Sequence, residues 1–227
     1  KTLRALKQTA IETLNQKRCL RLNPCQETKV SFPTWKEEYL HNMHHKSTIT
    51  SPHLNLLIRR EDQIDELHHL PLQTIIMDFE FGKDYKIGLA KIRKRGYQAG
   101  IATLRVFKPG EDHHLKVIKW LKPNVILVRN LGALNWLKCN MDLSQTLLIG
   151  DHSLNITNSM TAEWMQDHGL DYIQPAHDCN KQQLFDLVQQ YGSESIDLSL
   201  HHYMPTFHME HCVFAAFLSN GNTVKDC

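Results

Sequence analysis

The feature that most constrains this chain is a rhythm that begins at residue 54. Short apolar runs rich in β-branched residues alternate with stretches of helical spacing. The runs are Leu54–Ile58, Thr74–Phe79, Gly100–Val106, Val125–Val128, Thr146–Ile149, Leu170–Ile173 and Ile196–Leu200. Their starts recur roughly every 23 residues, a strand–helix period. Between them, helical patterns cover Asp62–Leu70, Tyr85–Arg95, His114–Leu121, Ala133–Lys138, Asn155–His168 and Lys181–Gln190. The strands are continuously apolar rather than alternating, so both faces are to be covered, which is the mark of a parallel sheet. An open doubly wound sheet and a (β/α)8 barrel both satisfy this pattern. No G-x-G-x-x-G or Walker-type loop follows the first strand, and no break suggests a topological switch. The barrel is the better fit. With about seven strands counted, it is an incomplete (β/α)8, TIM-like barrel of the α/β class over residues 52–227.

Residues 1–51 differ. Leu3, Leu6, Ala10, Ile11 and Leu14 lie at helical spacing and predict one amphipathic helix over Thr2–Lys17. Asn23-Pro24, Phe32-Pro33 and Ser51-Pro52 then predict an irregular connector. This part is expected to be the tail of a preceding domain. The chain starts at Lys1 and stops at Cys227, so it is expected to be a segment of a longer polypeptide whose remainder completes the barrel.

Composition excludes several classes. Lys+Arg number 26 and Asp+Glu 24, a net charge of +2, which fits neither an acidic tail nor a basic nucleic-acid arm. No apolar run approaches the ~20 residues that span a bilayer, so no membrane is expected. Cysteines 19, 25, 139, 179, 212 and 227 form no C-x-x-C pair, and their density is too low for a disulfide scaffold. Reduced thiols and a cytoplasmic location are the expectation. The basic run Lys91, Arg93, Lys94 and Arg95 falls on an outer helix and is expected to be a solvated face.

In a parallel barrel the chemistry gathers at the C-terminal ends of the strands. Those ends are polar here: Asp78 and Glu80, Arg105 and Lys108, Arg129-Asn130, Asp151 with Ser153 and Asn155, His177-Asp178, and His201-His202. Arg105 and Arg129 are suited to gripping a phosphate or carboxylate in bidentate fashion, with Asp78 and Asp151 as their alternative partners. The densest cluster is His201–Cys212. His208, His211 and Cys212 are candidate metal ligands. Cys212 is alternatively a nucleophile, a cluster thiolate or a buried small hydrophobe. Glu210 and His208 form an H-x-E without the downstream P-C-x-x-C of zinc deaminases.

Tyr203-Met204-Pro205-Thr206-Phe207-His208-Met209-Glu210-His211-Cys212-Val213-Phe214-Ala215, with Phe217-Leu218-Ser219 and Asp226-Cys227, resembles the signature of the collagenase-like peptidase family U32. Ala102–Arg105 with Lys108–Glu111, Leu127–Leu134 and Gly150–Asn155 are similar to large members of that family. The resemblance runs from about Leu54 to Cys227. It implies a TIM-like barrel and peptidase activity, with Glu210, His208, Arg105, Arg129 and Asp151 as catalytic candidates and a peptide substrate. Some relatives take part in hydroxylation of ribosomal RNA bases or quinone precursors and carry an iron–sulfur (4Fe-4S) cluster on four cysteines. Cys212 and Cys227 match two of those metal ligands, and the other two would lie outside this chain. RNA is then the alternative substrate, and a non-catalytic scaffold segment is the third reading.

Overall fold

The computed structural model describes residues 2–20, 31–42, 51–67 and 70–203, with the single positions 206 and 217. The chain divides into two compact units, residues 1–44 and 45–227.

The first unit holds α1 (Leu3–Leu20) and α2 (Phe32–Asn42). The amphipathic spacing of α1 matches the sequence reading. The second helix does not, because Phe32-Pro33 signalled a break. Pro33 sits in the opening turn of α2, where a backbone N–H has no intrahelical acceptor in any case and the fixed φ suits the helix. Trp35 and Tyr39, one turn apart, stack at 5.3 Å.

The second unit is an α/β half-barrel, an incomplete TIM-like barrel. Six strands run in parallel in the order of the sequence: β1 (Leu54–Ile58), β2 (Leu72–Met77), β3 (Gln98–Ala102), β4 (Val125–Val128), β5 (Leu147–Gly150) and β6 (Tyr172–Ile173). Helices α3 (Gly82–Lys94), α4 (His113–Leu121), α5 (Leu131–Asn140), α6 (Ser159–Asp167) and α7 (Lys181–Tyr191) fill the crossovers, and a 3-10 turn, Glu61–Glu66, joins β1 to β2.

Strand pleating sorts the core into two layers. Ile75, Met77, Ile101, Ile126, Val128 and Leu148 pack outward under the helices. Ile76, Ala102, Val125, Leu127 and Ile149 form a smaller cluster on the opposite face. Both sets are buried, which is why the strands lack polar alternation. On the helix side, Gly88 of α3 lets the helix approach β2 closely. A Cβ there would lie 2.6 Å from the Met77 Sδ.

The seventh predicted strand, Ile196–Leu200, is reduced to a single parallel bridge between Ile173 and Ile196. Its neighbour explains this. The Asp171 side chain accepts from the Leu148 N–H, so β6 starts late, and Pro175, without an N–H, follows two residues after its end. Leu198 and Leu200 are exposed. The third strand is also shorter than Gly100–Val106, because Leu104 and Val106 lie beyond its end and are partly open to solvent. The basic run at the end of α3 is a solvated face, as expected, laced by surface ion pairs. Lys91 pairs with Glu61 and Asp65, Arg95 with Asp65, and Arg93 donates to the Lys122 carbonyl.

Candidate functional site

Parallel register delivers the residues after each strand to one rim. Met77 pairs with Ile101, Leu127 with Ile149 and Val128 with Gly150. Asp78, Thr103, Arg129 and Asp151 directly follow the ends of their strands, so this register sets their meeting.

Arg129 is nearly buried, with 8% of its side chain exposed. Its two terminal nitrogens each donate to one oxygen of Asp78 at 2.9 Å, a fork-on-fork pair. Arg59 adds a second cation to Asp78 at 2.9 Å. The Arg129 N–H donates to the Thr103 hydroxyl at 3.0 Å, and its carbonyl accepts from the Ser153 hydroxyl at 2.9 Å. Its Nε lies 3.8 Å from Asp151 and has no hydrogen-bond acceptor. Burial alone would pull the guanidinium down, but the bonds and charge of Asp78, with the charge of Asp151, outweigh it and raise its pKa. Arg129 is therefore the centre of a buried ion network, and Asp78 is its partner.

Asp151 and His152 form a second unit. The Asp151 carboxylate accepts from Ser153 N–H at 3.3 Å and lies 3.1 Å from His152 Nδ1. Burial pushes this carboxyl up, yet the His152 hydrogen bond, the Arg129 charge and the Ser153 bond together hold it down at about 2. On the far side of the ring, Arg105 Nη2 lies 3.3 Å from His152 Nε2. A guanidinium only donates, so Nε2 accepts and the ring proton sits on Nδ1, facing Asp151. The ring thus has an oriented base nitrogen at the rim.

Two more histidines cover that ring. His177 stacks on His152 at 3.8 Å and 11°, and His202 meets both, at 5.1 Å and 5.0 Å. Burial, then the charges of neighbouring histidines, lower the pKa values of His177 and His202. Gln174 ties the cluster to the next segment. It accepts from the His152 N–H and donates to Asp197.

These groups border a cavity of about 740 Å³ whose wall includes Arg105, Arg129, Asn130, His152, His177 and Asp178. The first residues of α5 reach it. Asn130 caps that helix by accepting from Ala133 N–H at 2.7 Å and donates to the Leu104 carbonyl at 2.9 Å.

The structure therefore brings together three of the sequence-derived candidates, Arg105, Arg129 and Asp151, at one mouth. Glu210, His208, Cys212 and Cys227 lie outside the described residues. The sequence reading passed over His152 as a base because adjacent side chains seldom face each other. The 3-10 turn His152–Leu154, capped by Asp151, is what folds the two together. The stack of three histidines, 25 residues apart at each step, leaves no local signal.

Cys139 is exposed near the C-terminal end of α5, and the Cys179 thiol is pushed up by burial and then by Asp178. Among the described residues, no group of three or more His, Cys, Asp or Glu side chains is arranged to hold a metal ion. No helix among them is long and apolar enough to cross a membrane.

No family model and no curated protein matches the chain. Among solved structures it is similar to the U32 peptidase Mk0906, with 12% sequence identity and a TM-score of 0.49 over 68% of this chain and 71% of that one. What the mouth can do follows from its own side chains.

Proposed function

We propose that the chain carries the catalytic rim of a peptidase of the U32 type, hydrolysing peptides by general-base catalysis. The Asp151–His152 pair carries this reading, because an oriented imidazole with its basic nitrogen at a cavity wall is what activation of water requires. His152 Nε2 takes a proton from water as the oxygen attacks the peptide carbonyl carbon. The C–N bond then breaks, and the imidazolium returns that proton to the leaving amine. Asp151, held ionised, stabilises the imidazolium between the two steps. The first turn of α5 offers the positive end of its dipole to the developing oxyanion. Arg129 acts through position, fixing Ser153 and the Asp151 loop. Glu210 and His208 belong to the same proposal as further acid–base groups.

The test is cleavage of gelatin or casein by the full-length protein. His152→Ala is expected to lower kcat by about 10²- to 10⁴-fold. Equal rates in the two proteins would end the reading.

One observation favours a second reading. Two arginines and two histidines stand in the wall of the mouth, Arg105, Arg129, His152 and His177, groups also suited to RNA phosphates. In that case the protein takes part in iron–sulfur-dependent hydroxylation, with Cys212 and Cys227 among the cluster ligands. It predicts iron-bearing, brown full-length protein that bleaches in Cys212→Ser. Colourless, iron-free protein prepared without oxygen would remove it.

A further inference from the structure

Two arginines line the same cavity, and they are not equivalent. Arg129 spends its fork on Asp78 and is buried. Arg105 is half-exposed, and its only hydrogen bond among the described residues goes to a neutral ring, His152 Nε2. No described carboxylate lies within ion-pair distance of it. A guanidinium carries five N–H donors in a flat fork, so most of the Arg105 donors are available at the cavity wall.

We infer that Arg105 is the anchor for a carboxylate of the bound peptide, making the substrate class an acidic or free-C-terminal peptide rather than a neutral one. This rests on the peptidase reading and adds its specificity.

The charges around the cavity select the anion. Asp178 lines the same wall, and the Asp151 carboxylate sits behind His152. One available guanidinium faced by acidic groups suits a planar monoanion better than a phosphate dianion, which those carboxylates repel. Position matters as well. Arg105 Nη2 is 3.3 Å from His152 Nε2, so an anion seated on the fork lies next to the base. Seating it also gives the guanidinium a better acceptor than the ring nitrogen. Filling the anchor and freeing the His152 lone pair are then one event.

The experiment uses full-length protein and short labelled peptides in matched pairs, with binding read by fluorescence anisotropy and cleavage read separately. One pair differs in a C-terminal carboxylate against its amide, the other in an internal Glu against Gln. Whichever pair carries the anchor is expected to favour the acid roughly 10- to 100-fold, the weight of a charge-assisted fork. The preference is expected to vanish in Arg105→Gln, to persist partly in Arg105→Lys, and to shrink with added salt. A preference without any cleavage supports the anchor and ends the peptidase reading. Cleavage with neither pair showing a preference overturns the anchor and leaves the peptidase reading intact. An Arg105-dependent affinity for an oligoribonucleotide, with no acid preference among peptides, also overturns it. Arg105→Lys retains the charge, so loss of preference in Arg105→Gln alone separates recognition from misfolding.

Discussion

The two sides of the barrel mouth are built on opposite principles. Around Arg129 and Asp78, charge is paired and largely removed from water, with the exposed Arg59 as a second cation on Asp78. Around Arg105, His152, His177 and His202, polar groups touch one another but have few charged partners. A paired, buried network holds strand ends in place. A lightly partnered one leaves hydrogen-bonding capacity for something else. Polarity at a strand end is thus no guide to role until the partners are known.

The largest test of this contrast is thermodynamic. Arg129→Ala takes the buried fork from Asp78, leaving it only the exposed Arg59, and removes the cation beside Asp151; it is expected to cost about 3–5 kcal/mol. Arg105→Ala is expected to stay within about 0.5 kcal/mol of the parent. Urea denaturation of both variants decides, and equal losses would erase the distinction.

Acid titration sharpens it next. The Asp151 pKa, about 2, lies below the ordinary carboxylate value of ~3.9. Its contribution, on the order of 2 kcal/mol, is therefore present above about pH 4 and lost as pH falls toward 2. Asp151→Asn is expected to flatten that limb of the stability curve. An unchanged acid limb would mean that the carboxylate is not held by His152 and Arg129.

The smallest effect belongs to the histidine side. His177 has a lowered pKa, so the fold favours its neutral ring and loses stability as pH falls through and below the ordinary histidine range near 6.5. His177→Phe keeps a flat ring over His152 and removes that titration. The melting temperature of the variant is expected to depend less on pH between about 7 and 5 than that of the parent. Parallel curves would place the titration elsewhere.

Most of the barrel was legible because parallel strands announce themselves. Leu54–Ile58 and Val125–Val128 match to the residue; in Val125–Val128 an unbroken apolar run has nowhere to go but a strand covered on both faces. Apolar runs mislead where tertiary context decides. Leu104 and Val106 continue a run that the sheet does not, and Ile196–Leu200 has too little strand beside it to pair with. The arginine–aspartate mouth was legible as composition but not as pairing. Nothing in the sequence says that Asp78 belongs to Arg129, 51 residues away, and Arg105 to no carboxylate among the described residues. The histidine stack was invisible for the same reason: ring contacts are made by loop conformation rather than by periodicity.

The sheet also thins along its length. β2 contributes six residues, β6 two, and beyond it a lone bridge at Ile196 continues the ladder. Backbone amides there share their protection with very few neighbours, so hydrogen exchange should open this margin well before the centre. His177 and His202 are attached to that margin, while Arg129 stands on the four fully buried residues of β4. One wall of the mouth is thereby fastened to the firm middle of the sheet and the other to its fraying border, so breathing at that border changes the shape of the opening without disturbing its floor.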